Sequence, residues 1–213
     1  MEHRYHVGDP QQREAGLAHA VSAARRGELV VVNVDGAHAL ITDAFSHVGV
    51  ERIRTLRARP GMNVPVLVPR ASTVDGLAWL TGDADPAART LMRDCWPGPL
   101  TIVAPAQPSL PWTCTPDGVV AVRMPMHPWT LDILRTLGPA ATVPTHRAGE
   151  APHVDVDAVW EAIGAVASVY LDGGPLLPDQ TSSIVDVTDG TPRLTREGAF
   201  TRAHLTNLVP DLG

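Results

Sequence analysis

The chain has 213 residues, a formal net charge of −6, 44% apolar residues and only 4% aromatic ones. That length suits one domain, 1–213, with a sizeable core built on Val, Leu, Ile and Ala rather than on rings. The acidic balance argues against a general nucleic-acid coat. No apolar run is long enough for a membrane span and the polar start Glu2-His3-Arg4 shows no signal peptide, so a cytoplasmic protein is expected.

In chain order, Leu17, Ala18, Val21 and Ala24 recur at helical spacing and predict a helix over Gln11–Arg26, capped by Asp9-Pro10 and ended by Gly27. Leu29–Val32 is a continuous β-branched run, which predicts a strand buried on both faces. A loop leads to a helix over Val48–Arg59, stopped by Pro60-Gly61. Val64–Val68 reads as a short strand that Pro65 confines to an edge or bulge. A short helix through Leu80 and a longer one from Asp85 to Cys95 follow.

The rigid turn Trp96–Pro99 leads into a strand over Leu100–Ala104 and a proline-rich loop over Pro105–Pro116. Strands are predicted at Val119–Val122, Ala140–Val143, Ala167–Leu171, Ile184–Val187 and Arg193–Thr195, and helices at Pro128–Leu137, Val156–Ile163 and Ala203–Leu208. This alternation predicts a single-domain α/β fold with a twisted, mixed but mainly parallel sheet flanked by helices. Cys95 and Cys114 fit no zinc or redox spacing and read as packing and loop thiols in a reducing compartment. Arg52, Arg54, Arg57 and Arg59 crowd one stretch, which taken alone is a solvated helix face.

Four motifs stand in one order: Trp96-Pro97-Gly98-Pro99-Leu100-Thr101; Val122-Arg123-Met124-Pro125-Met126-His127-Pro128; Tyr170–Pro175 with Ser182–Asp186; and Arg196-Glu197-Gly198-Ala199. Together they resemble the YrdC/Sua5 family, over nearly the whole chain. The resemblance implies a twisted sheet around a concave basic cavity. It also implies a reaction joining L-threonine, bicarbonate and ATP into threonylcarbamoyl-adenylate and pyrophosphate, for modification of a tRNA adenosine. Some relatives bind RNA through the basic concavity, and related domains in carbamoyltransferases handle a carbamoyl-adenylate.

Adenylate chemistry needs an oxygen nucleophile in line with the α-phosphate, cations on the phosphates, and exclusion of water. The resemblance assigns Arg57, Arg59, Arg123, Ser182 and Arg196 to ATP and its co-substrate, with or without Mg2+. Arg59 fills the arginine of the family's Lys-x-Arg, and Arg57 replaces its lysine. Arg123 is placed near the amino-acid carboxylate, and Arg196 near the phosphates.

Two stretches depart from the family. Pro-Thr-Asp-Thr-x-Tyr-Gly-Leu-Gly reads Asn33-Val34-Asp35-Gly36-Ala37-His38-Ala39-Leu40-Ile41, so hydroxyls and glycines are lost. Thr-Ser-x-Asn-x-Ser-Gly reads Val143-Pro144-Thr145-His146-Arg147-Ala148-Gly149, where Pro144 lacks an N–H. His38 and His146 stand at pocket positions and, with Asp35, could form an acid–base group or a metal site; a hydrogen-bonded structural role is the other reading. His127 reads as a helix cap. His3, His6, His19, His47, His153 and His204 read as surface residues.

The departures favour carbamoyl- or acyl-adenylate chemistry on an altered acceptor, fed by bicarbonate or carbamoyl phosphate. The alternatives are threonylcarbamoyl-adenylate synthesis itself, or a non-catalytic paralogue binding RNA or a small ligand.

Overall fold

A computed structural model describes residues 3–82, 84–147, 149–176 and 181–213. The described strands are β1 (Arg4–His6), β2 (Val30–Val34), β3 (Ala37–Asp43), β4 (Val66–Leu67), β5 (Leu100–Pro105), β6 (Val119–Arg123), β7 (Ala140–Pro144), β8 (Val169–Asp172), β9 (Ser183–Asp186) and β10 (Arg193–Arg196). The helices are α1 (Pro10–Arg25), α2 (His47–Arg57), α3 (Val74–Leu77), α4 (Ala84–Cys95), α5 (Pro128–Leu137), α6 (Val156–Ile163) and α7 (Arg202–Leu208). Asp9 caps α1 by accepting from the Gln11 and Gln12 N–H groups. No helix among the described residues is long and apolar enough to cross a membrane.

One mixed sheet runs β1-β8-β2-β3-β7-β4-β6-β5-β9-β10. The α/β class and the mixed sheet agree with the sequence, but the balance between parallel and antiparallel does not. The β1–β8, β2–β8, β4–β6 and β5–β9 contacts are parallel. The β2–β3, β3–β7, β4–β7, β5–β6 and β9–β10 contacts are antiparallel. The difference comes largely from β3, a stretch for which the sequence predicts a loop. Asp35-Gly36 is a two-residue hairpin connection, and Asp35 takes the left-handed backbone (φ 55°) that Asp tolerates better than most residues. β4 is also not an edge strand. It lies between β7 and β6, because Pro65 stops just short of the ladder and uses only its carbonyl, which accepts from Thr142 N–H.

Alternating residues feed two cores. Leu29, Val31, Leu40, Val66, Ile102, Val120 and Val122 pack with α2, α3, α4, α6 and α7 on one face. Val30, Val32, Ile41, Leu67 and Ala140 pack with α1 and α5 on the other. That second cluster draws nothing from β5, β6, β9 or β10. Among the described residues, half of one sheet face is therefore left without a helix of this cluster, and it presents the half-buried alternate residues Ala121, Arg123, Val103, Ile184 and Asp186.

Candidate active site

Register places two cations on that half of the sheet face. Arg196 of β10 stands opposite Ile184 of β9, and Ile184 opposite Thr101 of β5; Arg123 ends the next strand, β6. Neighbouring strands are about 4.8 Å apart, so this row spans roughly 14 Å. Arg196 donates from Nε to the Ser182 carbonyl and from Nη2 to Ser182 Oγ, both at 2.8 Å. Ser182 Oγ lies 3.3 Å from Thr101 Oγ1. Burial, and then the charge of Arg123, pull Arg196 below its ordinary value. Gly198 lets the chain pass close behind this pair, since an added Cβ there would fall 2.1 Å from the Thr181 carbonyl oxygen. Gly98 makes a similarly close approach, with an added Cβ 2.3 Å from the Cys95 carbonyl oxygen. Its N–H donates to the Met124 carbonyl at 2.9 Å.

Arg123 is not free. Its Nη2 donates to Asp35, whose other carboxylate oxygen accepts the Met126 N–H at 2.7 Å. Four strand steps at about 20–25° each turn β6 roughly a right angle from β2, which brings the end of β6 across the β2–β3 tip.

A second group of cations forms where α2 ends beside the segment after β7. Ala58 caps α2 in the left-handed conformation (φ 49°) and separates Arg57 from Arg59. Arg57 Nη1 donates to the His146 carbonyl at 2.9 Å, and Nη2 donates to the Pro144 carbonyl. Burial, then Arg147 and Arg59, pull Arg57 below its ordinary value. Among the described residues, none of Arg57, Arg59 and Arg147 forms an ion pair. These three arginines outnumber the Glu150 carboxylate beside them, and the excess positive charge favours an anion.

The described histidine side-chain hydrogen bonds lie apart from these two groups of arginines. His38 is fully buried, and its Nδ1–H donates to the His153 carbonyl at 3.0 Å. The His38 carbonyl accepts from the Thr145 N–H at 3.0 Å and from Thr145 Oγ1 at 3.2 Å. Burial lowers His38, His127 and His146 alike. Among the described residues no hydrogen bond joins Asp35, His38 and His146 into the expected group, and Asp35 is bonded to Arg123 and Met126. Asp35 lies in the hairpin turn and His38 on the strand after it, with their side chains bonded to different neighbours.

Among the described residues no group of three His, Cys, Asp or Glu side chains is placed to hold a metal. His127 makes no side-chain cap to α5; its Nε2 lies 3.5 Å from Asn33 Nδ2 instead. His153 is half-buried, with Nδ1 3.0 Å from Thr145 Oγ1.

A family model described as telomere recombination, covering the Sua5, YciO and YrdC proteins, matches residues 22–198. The chain belongs to this Sua5/YrdC family. It is 35% identical over 211 residues to a Mycobacterium tuberculosis protein provisionally named threonylcarbamoyl-AMP synthase, covering 98% of this chain and 96% of that one. Among solved structures, a double variant of P. abyssi Sua5 matches with TM-score 0.86 and 24% identity over 98% of this chain and 60% of that chain. P. abyssi Sua5 complexed with L-threonine matches with TM-score 0.83 and 23% identity over 99% of this chain and 61% of that chain. This Sua5/YrdC chain thus shares the fold of the longer P. abyssi protein and spans about three-fifths of it.

Within the Sua5/YrdC frame, the structure brings Arg123, Ser182 and Arg196 onto one face, and Arg57 and Arg59 onto one helix end. Ala148 lies outside the described residues. The sequence gives Arg147 no role and reads His153 as a surface residue, whereas it is half-buried against Thr145. Arg147 occupies an unspecified position of a family motif, so only its neighbours, Arg57 and Glu150, reveal it.

Proposed function

We propose that this Sua5/YrdC chain is a threonylcarbamoyl-AMP synthase, taking L-threonine, bicarbonate and ATP. The near-full-length 35% identity to a protein provisionally so named carries the reading, and it displaces the altered-acceptor chemistry as the first choice. The substituted hairpin and the 143–149 segment are compatible with it, because the arginines persist where hydroxyls were lost.

The threonine nitrogen bonds to the bicarbonate carbon with loss of water, giving a carbamate. A carbamate oxygen then attacks the α-phosphorus, and the bond to the pyrophosphate oxygen breaks. Charge moves onto the departing pyrophosphate, so cations close to it lower the barrier. Arg59 and Arg147 serve one end of the triphosphate, and Arg196, steadied by Ser182, another. Arg123, half neutralised by Asp35, is suited to a single carboxylate rather than to several phosphates. Any Mg2+ would arrive on the ATP as part of the substrate.

The hairpin supports a second reading on one observation. Val34 and Gly36 offer no hydroxyl, and the His38 side chain is turned to the His153 carbonyl, so an amino acid other than threonine could be the acceptor. The test is to incubate the purified chain with ATP, 13C-bicarbonate and L-threonine, and to look for labelled threonylcarbamoyl-AMP by mass spectrometry. Its appearance supports the proposal. Label in an adduct of a different amino acid supports the second reading, and no labelled adenylate with any amino acid contradicts both.

A further inference from the structure

The family resemblance gives Arg57 to the phosphates, in place of a lysine. Its hydrogen bonds say otherwise. Both terminal nitrogens of the guanidinium are occupied by main-chain oxygens, those of Pro144 and His146. A planar fork can span two carbonyls one residue apart, whereas an ammonium has no fixed pair of donors to do so. From the opposite side the same segment is fastened to the hairpin through Thr145, by its N–H and Oγ1 to the His38 carbonyl. A further turn is closed by Arg147 N–H to Glu150 Oε2 at 3.0 Å and Glu150 N–H to the Arg147 carbonyl at 3.1 Å. The residue that follows this clamp is Arg147, whose charge, like that of Arg59, acts on Arg57.

We propose that Arg57 is a positioning residue: it straps the 144–146 main chain so that Arg147, next to Arg59, meets the triphosphate. The inference rests on the ATP-dependent reading above for its ligand, but the strap itself does not. Pro144 and Ala148 stand where related motifs have side chains that grip the nucleotide. A guanidinium brought in by a fixed loop is a physical substitute for those lost donors. It keeps charge at the phosphates while the Thr145 and Arg147 N–H groups are committed to the His38 carbonyl and to Glu150 Oε2.

The test uses Arg57→Lys, which restores the family's residue and the charge but not the fork. Hydrogen exchange of the 145–147 amides is followed in the ligand-free full chain, and the Michaelis constant for ATP is followed by pyrophosphate release. Loss of one charge-assisted hydrogen bond corresponds to about a tenfold change. Exchange should therefore quicken by about that factor or more, and the constant for ATP should rise similarly.

The strap also predicts coupling. In an Arg147→Gln background, Arg57→Lys should change the constant for ATP by less than about twofold, while in an Arg59→Gln background its full effect should persist. Unchanged exchange in Arg57→Lys, or effects that simply add with Arg147→Gln, would overturn the proposal and return Arg57 to direct phosphate contact. If Arg57→Lys unfolds, Arg57→Gln is measured in the same way, with thermal melting as the check on folding. A wild-type chain that releases no pyrophosphate would refute the proposed activity alone. The exchange arm still decides the strap.

Discussion

Asp35 and Arg123, 88 positions apart, form a part-buried ion pair, with 3% and 17% of their side chains exposed. It ties the β2–β3 hairpin tip to the end of β6. Removing one member leaves the other's charge with little solvent and no partner. Breaking such a pair costs about 3–5 kcal/mol, and the residual exposure of Arg123 points to the lower end. Asp35→Ala should lower stability by about 3 kcal/mol in urea denaturation. Asp35→Asn, which keeps an acceptor for the Met126 N–H, should lose less. Equal stabilities for wild type and Asp35→Ala would count against this pairing.

Arg196 and Ser182 should act as a unit. Arg196→Lys keeps the charge but cannot hold both the carbonyl and the hydroxyl of Ser182. Its Michaelis constant for ATP should rise by about tenfold, the size of one charge-assisted hydrogen bond. Ser182→Ala should have a smaller effect, and the double variant should fall short of the product of the two. Pyrophosphate release at varied ATP measures all three; fully multiplicative effects would show that Ser182 does not steady Arg196.

Acid should destabilise the fold. His38, His127 and His146 are held below the ordinary imidazole value, in each case first by burial. As pH falls through about 6.5 the unfolded chain takes up protons that the native chain refuses. The stability that depends on neutral rings is therefore complete above about 6.5 and is lost below it, down to the depressed native values. Each such group contributes up to about 1.4 kcal/mol per pH unit inside that window. The urea midpoint should be lower at pH 5.5 than at 7.5, and His38→Gln should make the decline shallower. A midpoint that does not move would refute neutral burial of these rings.

Two glycines are required by close backbone contacts. A Cβ at Gly98 would fall 2.3 Å from the Cys95 carbonyl oxygen, and one at Gly198 would fall 2.1 Å from that of Thr181. Gly98→Ala and Gly198→Ala should each cost at least about 1–3 kcal/mol. Gly198→Ala should also weaken ATP use, because it displaces Ser182 from Arg196. Gly76→Ala, with nothing within 4 Å of the added atom, should leave the melting temperature level or slightly raised.

Much of this was legible in the sequence where local pattern decides. The run Val30-Val31-Val32, the Asp9-Pro10 cap and the Trp96–Pro99 turn all fall where the sequence places them. The β3 strand was missed although Asp35-Gly36, between apolar stretches, is itself a hairpin signal. The family motif there suggested a substrate loop and hid the turn. The site residues were legible by type and not by commitment. Nothing local shows that Asp35 would meet Arg123 rather than His38, or that the Arg57 fork would turn to the Pro144 and His146 carbonyls. Those choices follow from the twist between distant strands and from the left-handed Ala58. Arg147 carried no signal at all, since only its placement beside Arg57 gives it meaning.

Pyrophosphate release with each substrate omitted in turn tests the account most directly. The two groups of arginines predict release only when ATP, bicarbonate and L-threonine are all present, with the rate falling when either Arg59 or Arg196 is replaced by Gln. Release that ignores threonine, or a complete mixture that yields none, would contradict it.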